Sequence, residues 1–185
     1  MDALSHSMEA FFAPAYHPLA RGVAIEGMRL VKQWLPRAVA DGDDLEARSH
    51  MMAASQAGAT AFQKGLGGMH ALAHSLGALY DAHHGTLNAI LMPYVLQQNR
   101  DAIEADAADL ARCLELSPGF DALLEWVLSQ RREVGIPDTL DAIGIDASDA
   151  ARVGEMAAVD PAASGNPTPL TPNEYAALFE RAVRG

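Results

Sequence analysis

The stretch "GGMHALAHSLGALYDAHHGTLNA", residues 67–89, places four of the chain's seven histidines in a run of alanine, leucine and glycine. Apolar residues surround His70 and His74 on nearly every side of a helix, which predicts a buried helix over 69–79. Histidines inside a protein normally need a polar partner. The stretch therefore predicts a helical core in which several imidazoles share one partner.

The rest of the chain also favours helices. Its 185 residues suffice for one domain, half of them are hydrophobic, and none of the segments is typical of a strand. Thr171 and Glu174 form a capping-box pattern around Pro172, which indicates that a last helix begins there. The predicted fold class is an all-α helical bundle of one domain, residues 1–185, with further helices over 2–12, 18–34, 43–62, 69–79, 86–98, 100–113, 118–133 and 146–158.

Charge and composition exclude several classes of protein. A net charge of −11 and a pI near 4.9 argue against nucleic-acid or membrane partners, which need clustered lysine and arginine. No apolar run approaches the roughly 20 residues that span a bilayer, and the N-terminus is not a signal peptide. Cys113 is the only cysteine, so an internal disulfide is impossible. A cytoplasmic protein is the expectation.

Two pairs of potential metal ligands have helical spacing. Asp2 and His6 stand four apart, as do His70 and His74, so each pair shares one helix face. Carboxylate and neutral imidazole suit Zn²⁺, Fe²⁺ and similar ions. The alternatives are a solvated or capping pair at the N-terminus, core histidines bonded to carbonyls, and a polar loop at the histidine before Gly85. The residues predict a buried metal site without fixing its ligands.

Longer segments carry a resemblance to a known family. "MDALSHSMEAFF" (1–12) and "AFQKGLGGMHALAHSLGALYDAHHGTLNAILMPYVLQQN" (61–99) closely resemble the metal-binding half of the iron-containing (group III) alcohol dehydrogenases. The similarity continues in "GIPDTLDAIGI" (135–145) and "DPAASGNPTPLT" (160–171). It implies the C-terminal helical domain of the iron-containing alcohol dehydrogenase and dehydroquinate synthase-like fold.

The resemblance also implies roles for the residues of the quoted segments. One aspartate, Asp2, and three histidines, His6, His70 and His84, would hold a divalent metal, Fe²⁺ or Zn²⁺. His74 would lie beside the nicotinamide and the substrate and relay a proton. Its alternative is a core histidine that shapes the pocket.

Other residues of these segments have less specific roles. Phe62 would line the substrate pocket, or else be an ordinary core phenylalanine. Asn166 would lie near the active-site cleft, or form a simple Asn-Pro turn. His83 is expected at the surface or behind the ligands. His17 and His50, which lie outside these segments, are expected in solvent. The glycine cluster at 65–68 is assigned to helix packing.

As a function, the resemblance implies an NAD(P)-dependent alcohol dehydrogenase that interconverts an alcohol and its aldehyde or ketone by metal-assisted hydride transfer. Family members bind NAD or NADP in an N-terminal α/β domain, and no glycine-rich dinucleotide motif occurs in these 185 residues. The chain is therefore expected to be a cut domain, the product of a shortened gene, or the partner of a separate nucleotide-binding chain. Alone it should bind a metal without oxidising alcohols. Family members are usually dimers or larger, so a homodimer is one candidate assembly, and the oligomeric state stays open.

Two other functions stay open at this point. A maleylacetate reductase or a hydroxyacid–oxoacid transhydrogenase would share the scaffold, although maleylacetate-type relatives tend to lack the aspartate found here as Asp2. A non-catalytic helical module could instead have kept its metal or its histidines for stability.

Overall fold

Nine α-helices and three short 3-10 turns make up the chain, whose computed structural model describes residues 1–185. No strand is present, which confirms the predicted all-α class. The helices are α1 (Asp2–Phe12), α2 (Pro18–Ala40), α3 (Leu45–Ala61), α4 (Gly68–Tyr80), α5 (His84–Gln98), α6 (Arg100–Cys113), α7 (Phe120–Glu133), α8 (Ala150–Val159) and α9 (Pro172–Arg184). The 3-10 turns are Phe62–Lys64, Asp141–Ile143 and Pro161–Gly165.

The middle of the bundle is formed by α4 and α5. Helix α4 packs on α5 and α8, and α5 also contacts α1, α7 and α9. Their apolar side chains belong to one continuous core and are fully buried, as in Met69, Leu72, Leu76, Leu87 and Ile90. Neighbouring helices cover α4 and α5 on most sides. This explains why neither sequence has a continuous polar face.

Several helix ends differ from the predicted ones. Helix α2 continues through Pro36 to Ala40, since Trp34 and Leu35 keep this turn packed in the core. Helix α8 begins at Ala150 instead of 146, because the Asp146 carboxylate accepts a hydrogen bond from the Ser148 amide and holds a turn there. Helix α5 begins at His84, two residues earlier than predicted.

The predicted start of the last helix is confirmed. The Thr171 hydroxyl accepts a hydrogen bond from the Glu174 amide at 3.3 Å. The Glu174 carboxylate accepts one from the Thr171 amide at 2.7 Å, which closes the capping box in front of Pro172. The N–H groups of Thr171 and Glu174 are thereby satisfied, and Pro172, at the first helical position, has none to satisfy.

Small residues bring α1 close to its neighbours α2 and α3. A Cβ atom added at Gly27 of α2 would lie 2.6 Å from the Ser7 hydroxyl, and one at Gly58 of α3 would lie 3.0 Å from the His6 Cβ. At its other end α1 is held by the buried Lys64 ammonium, which donates to the carbonyl groups of Ala10, Phe11 and Ala13. These contacts fix the helix that carries Asp2 and His6.

None of the nine helices combines the length and the apolar character required to cross a membrane.

Candidate metal centre

Three potential metal ligands from three helices meet at one end of the bundle. Asp2 begins α1, His70 lies in the first turn of α4, and His84 begins α5. One ligand atom from each lies within 4.8 Å of the others, and the Asp2 Oδ1 to His84 Nε2 distance is 3.6 Å. His70 is fully buried, whereas the other two side chains are about 40% exposed, at 40% and 42%. The cluster is therefore open to solvent on one side.

His6 lies next to this cluster without completing it. Its Nδ1 atom is 3.6 Å from the Asp2 carboxylate, and its ring stacks on that of His70 at a centroid distance of 4.7 Å. The group of ligand atoms within 4.8 Å of one another does not include a His6 nitrogen. The role of His6 as a ligand stays a prediction.

Asn88 lies against all three converging side chains. It is fully buried, and its Nδ2 atom is 2.9 Å from Asp2 Oδ1, 2.9 Å from His84 Nε2 and 3.3 Å from His70 Nε2. An amide nitrogen can donate to these imidazoles only where Nε2 carries a lone pair. The Asn88 Nδ2 atom thus faces three acceptor atoms with its two hydrogens, while its own buried Oδ1 has no hydrogen-bond partner.

Sequence reasoning assigned no role to Asn88, although one signal was available. Asn88 follows His84 by four positions, so both side chains project from one face of α5. This spacing would have predicted that the Asn88 amide lies next to His84.

Glu9 is a second site residue that the sequence analysis missed. Its carboxylate is buried and accepts hydrogen bonds from the amides of Gly67 at 2.8 Å and Met69 at 2.6 Å. The same carboxylate lies 2.7 Å from His70 Nδ1. Glu9 stands seven positions after Asp2, nearly two helical turns, and this spacing was the available signal.

His74 lies at the rim of the cluster. Its side chain is 45% exposed, and its Nδ1 atom lies 3.1 and 3.3 Å from the two carboxylate oxygens of Asp160. The prediction of a buried helix is wrong for this position of α4, and so is the alternative that His74 is a core histidine. The helix turns one edge to solvent, where His74 also stacks on His84 at 5.5 Å.

Phe62 lies on the same rim. It is 41% exposed, and its ring centroid is 5.5 Å from that of His6, so the alternative of a core phenylalanine is wrong. An open depression of about 500 Å³ begins beside it. The residues that line this depression are Phe62, Leu66, His74, Asp160, Pro161 and Ala162.

The remaining histidines cap or pack against helices. His17 and His83 are exposed and accept hydrogen bonds at the starts of α2 and α5, in agreement with the predicted surface positions. The prediction that His50 is solvated is wrong, because α3 packs on α2 and stacks this ring on Trp34 at 4.1 Å.

Asn166 is buried and is more than part of a simple turn. Its side-chain oxygen accepts hydrogen bonds from the Gly68 amide at 3.0 Å and from the Asn99 side chain at 2.9 Å. A Cβ atom at Gly67 or Gly68 would lie 3.1 or 3.2 Å from that oxygen. The glycine cluster therefore serves close packing at the start of α4, as expected.

The electrostatics of the cluster suit a cation. Burial lowers the pKa of both His6 and His84, more than the nearby Asp2 carboxylate raises it. Burial alone would raise the pKa of Asp2, but the hydrogen bond from Asn88 and the surrounding histidines together hold it below its usual value. These directions favour an ionised Asp2 and neutral His6 and His84 near neutral pH. Carboxylate and neutral imidazole are the donors of divalent transition-metal sites.

The chain is similar to known proteins over nearly its whole length. The model of the "Fe-containing alcohol dehydrogenase family, C-terminal" matches residues 1–183. A 4-hydroxybutyrate dehydrogenase of Cupriavidus necator is 38% identical over 99% of this chain and 50% of its own length. A 1,3-propanediol dehydrogenase of Klebsiella pneumoniae is 36% identical over 98% of this chain and 49% of its own.

A solved structure has the same fold. The crystal structure of a 1,3-propanediol oxidoreductase superimposes with a TM-score of 0.93 at 35% identity, over 98% of this chain and 50% of that one. The chain thus spans about half the length of the relatives it matches. Proteins of the Fe-containing alcohol dehydrogenase family use a divalent metal, iron, and NAD. By its sequence and by its helical fold, the chain belongs to the Fe-containing alcohol dehydrogenase family.

Proposed function

We propose that the chain is the metal-binding portion of an NAD(P)-dependent alcohol dehydrogenase, which interconverts a small alcohol and its aldehyde or ketone. The observation that carries this proposal is the meeting of Asp2, His70 and His84 from three different helices. The similarity to dehydrogenases of 4-hydroxybutyrate and 1,3-propanediol supports it.

Asp2, His6, His70 and His84 would hold the metal. The His6 Nδ1 atom lies 3.6 Å from the Asp2 carboxylate, so His6 borders the other three candidate ligands. Fe²⁺ fits this donor set, and Zn²⁺ fits it as well because both ions accept imidazole and carboxylate ligands. When bound, a divalent ion supplies Lewis-acid chemistry for an alcohol or carbonyl oxygen.

His74 and Phe62 would act on the open side of the cluster. Because Asp160 faces His74 Nδ1, the free Nε2 atom is the one available to hold or pass on a proton. We assign to His74 the position beside the nicotinamide and to Phe62 an apolar wall of the substrate pocket. NAD or NADP would come from a nucleotide-binding domain outside these 185 residues. The cytoplasm stays the expected compartment.

Asp2 also bears on the alternatives. Its oxygen belongs to the converging group, whereas relatives of the maleylacetate reductase type tend to lack this aspartate. A module that used its metal for stability alone would enclose it, as structural metal sites do. His74 and Phe62 leave the cluster open to solvent, which favours a catalytic metal site over a structural one.

Metal titration of the purified chain tests the proposal. Calorimetry with Zn²⁺, and with Fe²⁺ under anaerobic conditions, should show one ion per chain. His84→Ala should abolish this binding, whereas His83→Ala changes the neighbouring imidazole and should leave it intact. Equal binding by the chain and by His84→Ala would refute the proposed site.

A further inference from the structure

Glu9 is the only acidic side chain that the fold buries. Moving a carboxylate out of water costs free energy unless hydrogen bonds replace its hydration. The backbone amides of Gly67 and Met69 and the Nδ1 atom of His70 supply three such contacts, between 2.6 and 2.8 Å. Its burial is therefore compensated by groups that belong to the start of α4.

The start of α4 depends on Glu9 in return. No side chain from the helix itself caps its first turn, so the amides of Gly67 and Met69 would be free without this carboxylate. A negative charge at a helix N-terminus is also favourable for the helix dipole. A Cβ atom at Gly67 would lie 3.0 Å from the Glu9 carboxylate, so glycine permits this close approach.

The same contact decides which nitrogen of His70 carries the proton. A carboxylate oxygen only accepts hydrogen bonds, so the 2.7 Å contact places the imidazole proton on Nδ1. Nε2 then keeps its lone pair on the side of Asp2 and His84. The Asn88 amide nitrogen, 3.3 Å from Nε2, agrees with that assignment because it is a donor.

We propose that Glu9 is a positioning residue for the metal site. It holds the ring of His70 in one orientation and one tautomer, and its charge strengthens Nε2 as a ligand. Glu9 also joins α1, the helix of Asp2 and His6, to α4, the helix of His70. This inference rests on the proposed function, since it concerns a ligand of the metal assigned there.

A pair of variants at the start of α4 tests this role. Glu9→Gln keeps the size of the side chain, removes its charge and turns one acceptor into a donor. We expect it to weaken Zn²⁺ binding by about 10- to 100-fold, as is usual when the partner of a ligand histidine is lost. Asn166→Ala removes the acceptor of the Gly68 amide and lowers stability at the same helix start without touching His70. It should change the Zn²⁺ affinity by less than about 3-fold.

The tautomer of His70 gives a second measurement that needs no variant. Nitrogen-15 NMR of the metal-free chain should show His70 protonated on Nδ1 and bare on Nε2. Protonation on Nε2 would overturn the inference, as would Glu9→Gln binding Zn²⁺ like the unaltered chain or both variants losing affinity equally. If the unaltered chain binds no metal, the proposed function fails. The His70 tautomer of the metal-free chain still shows whether Glu9 holds the proton on Nδ1.

Discussion

At the scale of single residues, the surroundings of the candidate metal centre favour protonation states of Asp2, His6 and His84 that suit metal binding. Burial favours neutral His6 and His84, and the Asn88 amide favours the ionised form of Asp2. An ion entering the cluster would therefore displace few protons near neutral pH.

The stability of the metal-free chain should fall as the pH drops below about 6.5. Burial lowers the pKa of His6 and His84 from the usual 6.5 in the folded chain, so the unfolded chain binds more protons in this range. Protonation then favours unfolding, while Asp2 contributes only near pH 4. Melting temperatures at about pH 7.5 and 5.5 measure the effect.

The control for this pH effect is the double variant His6→Asn and His84→Asn, which should show a smaller decrease over the same range. A metal-free chain that melts at the same or a higher temperature at the acidic pH would contradict the prediction.

At the scale of elements, two glycines of α2 allow a matched test of the packing that places α1. A Cβ atom at Gly22 meets nothing within 4 Å, whereas one at Gly27 lies 2.6 Å from the Ser7 hydroxyl of α1. Gly22→Ala should raise the free energy of unfolding by about 0.5–1 kcal/mol, since alanine favours helices. Gly27→Ala should lower it by about 1–3 kcal/mol through overpacking.

Denaturant unfolding compares these two variants. Gly27→Ala should also weaken Zn²⁺ binding, because α1 carries Asp2 and His6. Equal effects of the two substitutions on stability would show that the crossing of α1 and α2 is looser than its contacts indicate.

The capping box of α9 should contribute measurably to stability. Thr171→Ala removes the hydroxyl that accepts from the Glu174 amide and should lower the free energy of unfolding by about 0.5–2 kcal/mol. Thr60→Ala is the control, since Thr60 is exposed inside α3, and it should stay within about 0.5 kcal/mol of the unaltered chain. Urea unfolding of both variants distinguishes a cap effect from the general loss of a threonine.

At the scale of the whole molecule, the candidate metal centre lies on an open face with no enclosed pocket around it. His74, His84 and Phe62 are all partly exposed there, and the depression beside them opens directly to solvent. Hydride transfer requires a nicotinamide held next to the alcohol and shielded from water. The nine helices provide only one side of such a site, with His74 and Phe62 exposed on it.

The 185-residue chain should therefore bind metal without oxidising alcohols. An assay with 1,3-propanediol, NAD or NADP and added Fe²⁺ or Zn²⁺ should show no reduction of the cofactor above the rate without protein. Calorimetry on the same sample provides the control, because bound metal shows that the chain is folded. Sustained cofactor reduction would refute this prediction.

The helices of this protein were predictable because their signals are local. The capping box at Thr171 and the apolar spacing of α4 and α5 act within a few residues, so they indicate helices in any surroundings. The family resemblance named Asp2, His70 and His84, which the structure brings together. Exposure was less predictable: His74 lies at an edge and His50 stacks on Trp34, and both depend on which helices pack nearby.

The positions of the helices follow from local patterns in the sequence, and the family resemblance named the candidate metal donors. The partners of those donors follow from the packing of distant segments. Glu9 reaches His70 across 61 positions and Asn88 reaches Asp2 across 86, and no local signal measures such a distance. Both contacts arise because Gly27 and Gly58 let α1 pack closely on α2 and α3, and because α4 and α5 lie side by side in the core. The protonation and orientation of the candidate ligands depend on that packing, since hydrogen bonds require contact in space.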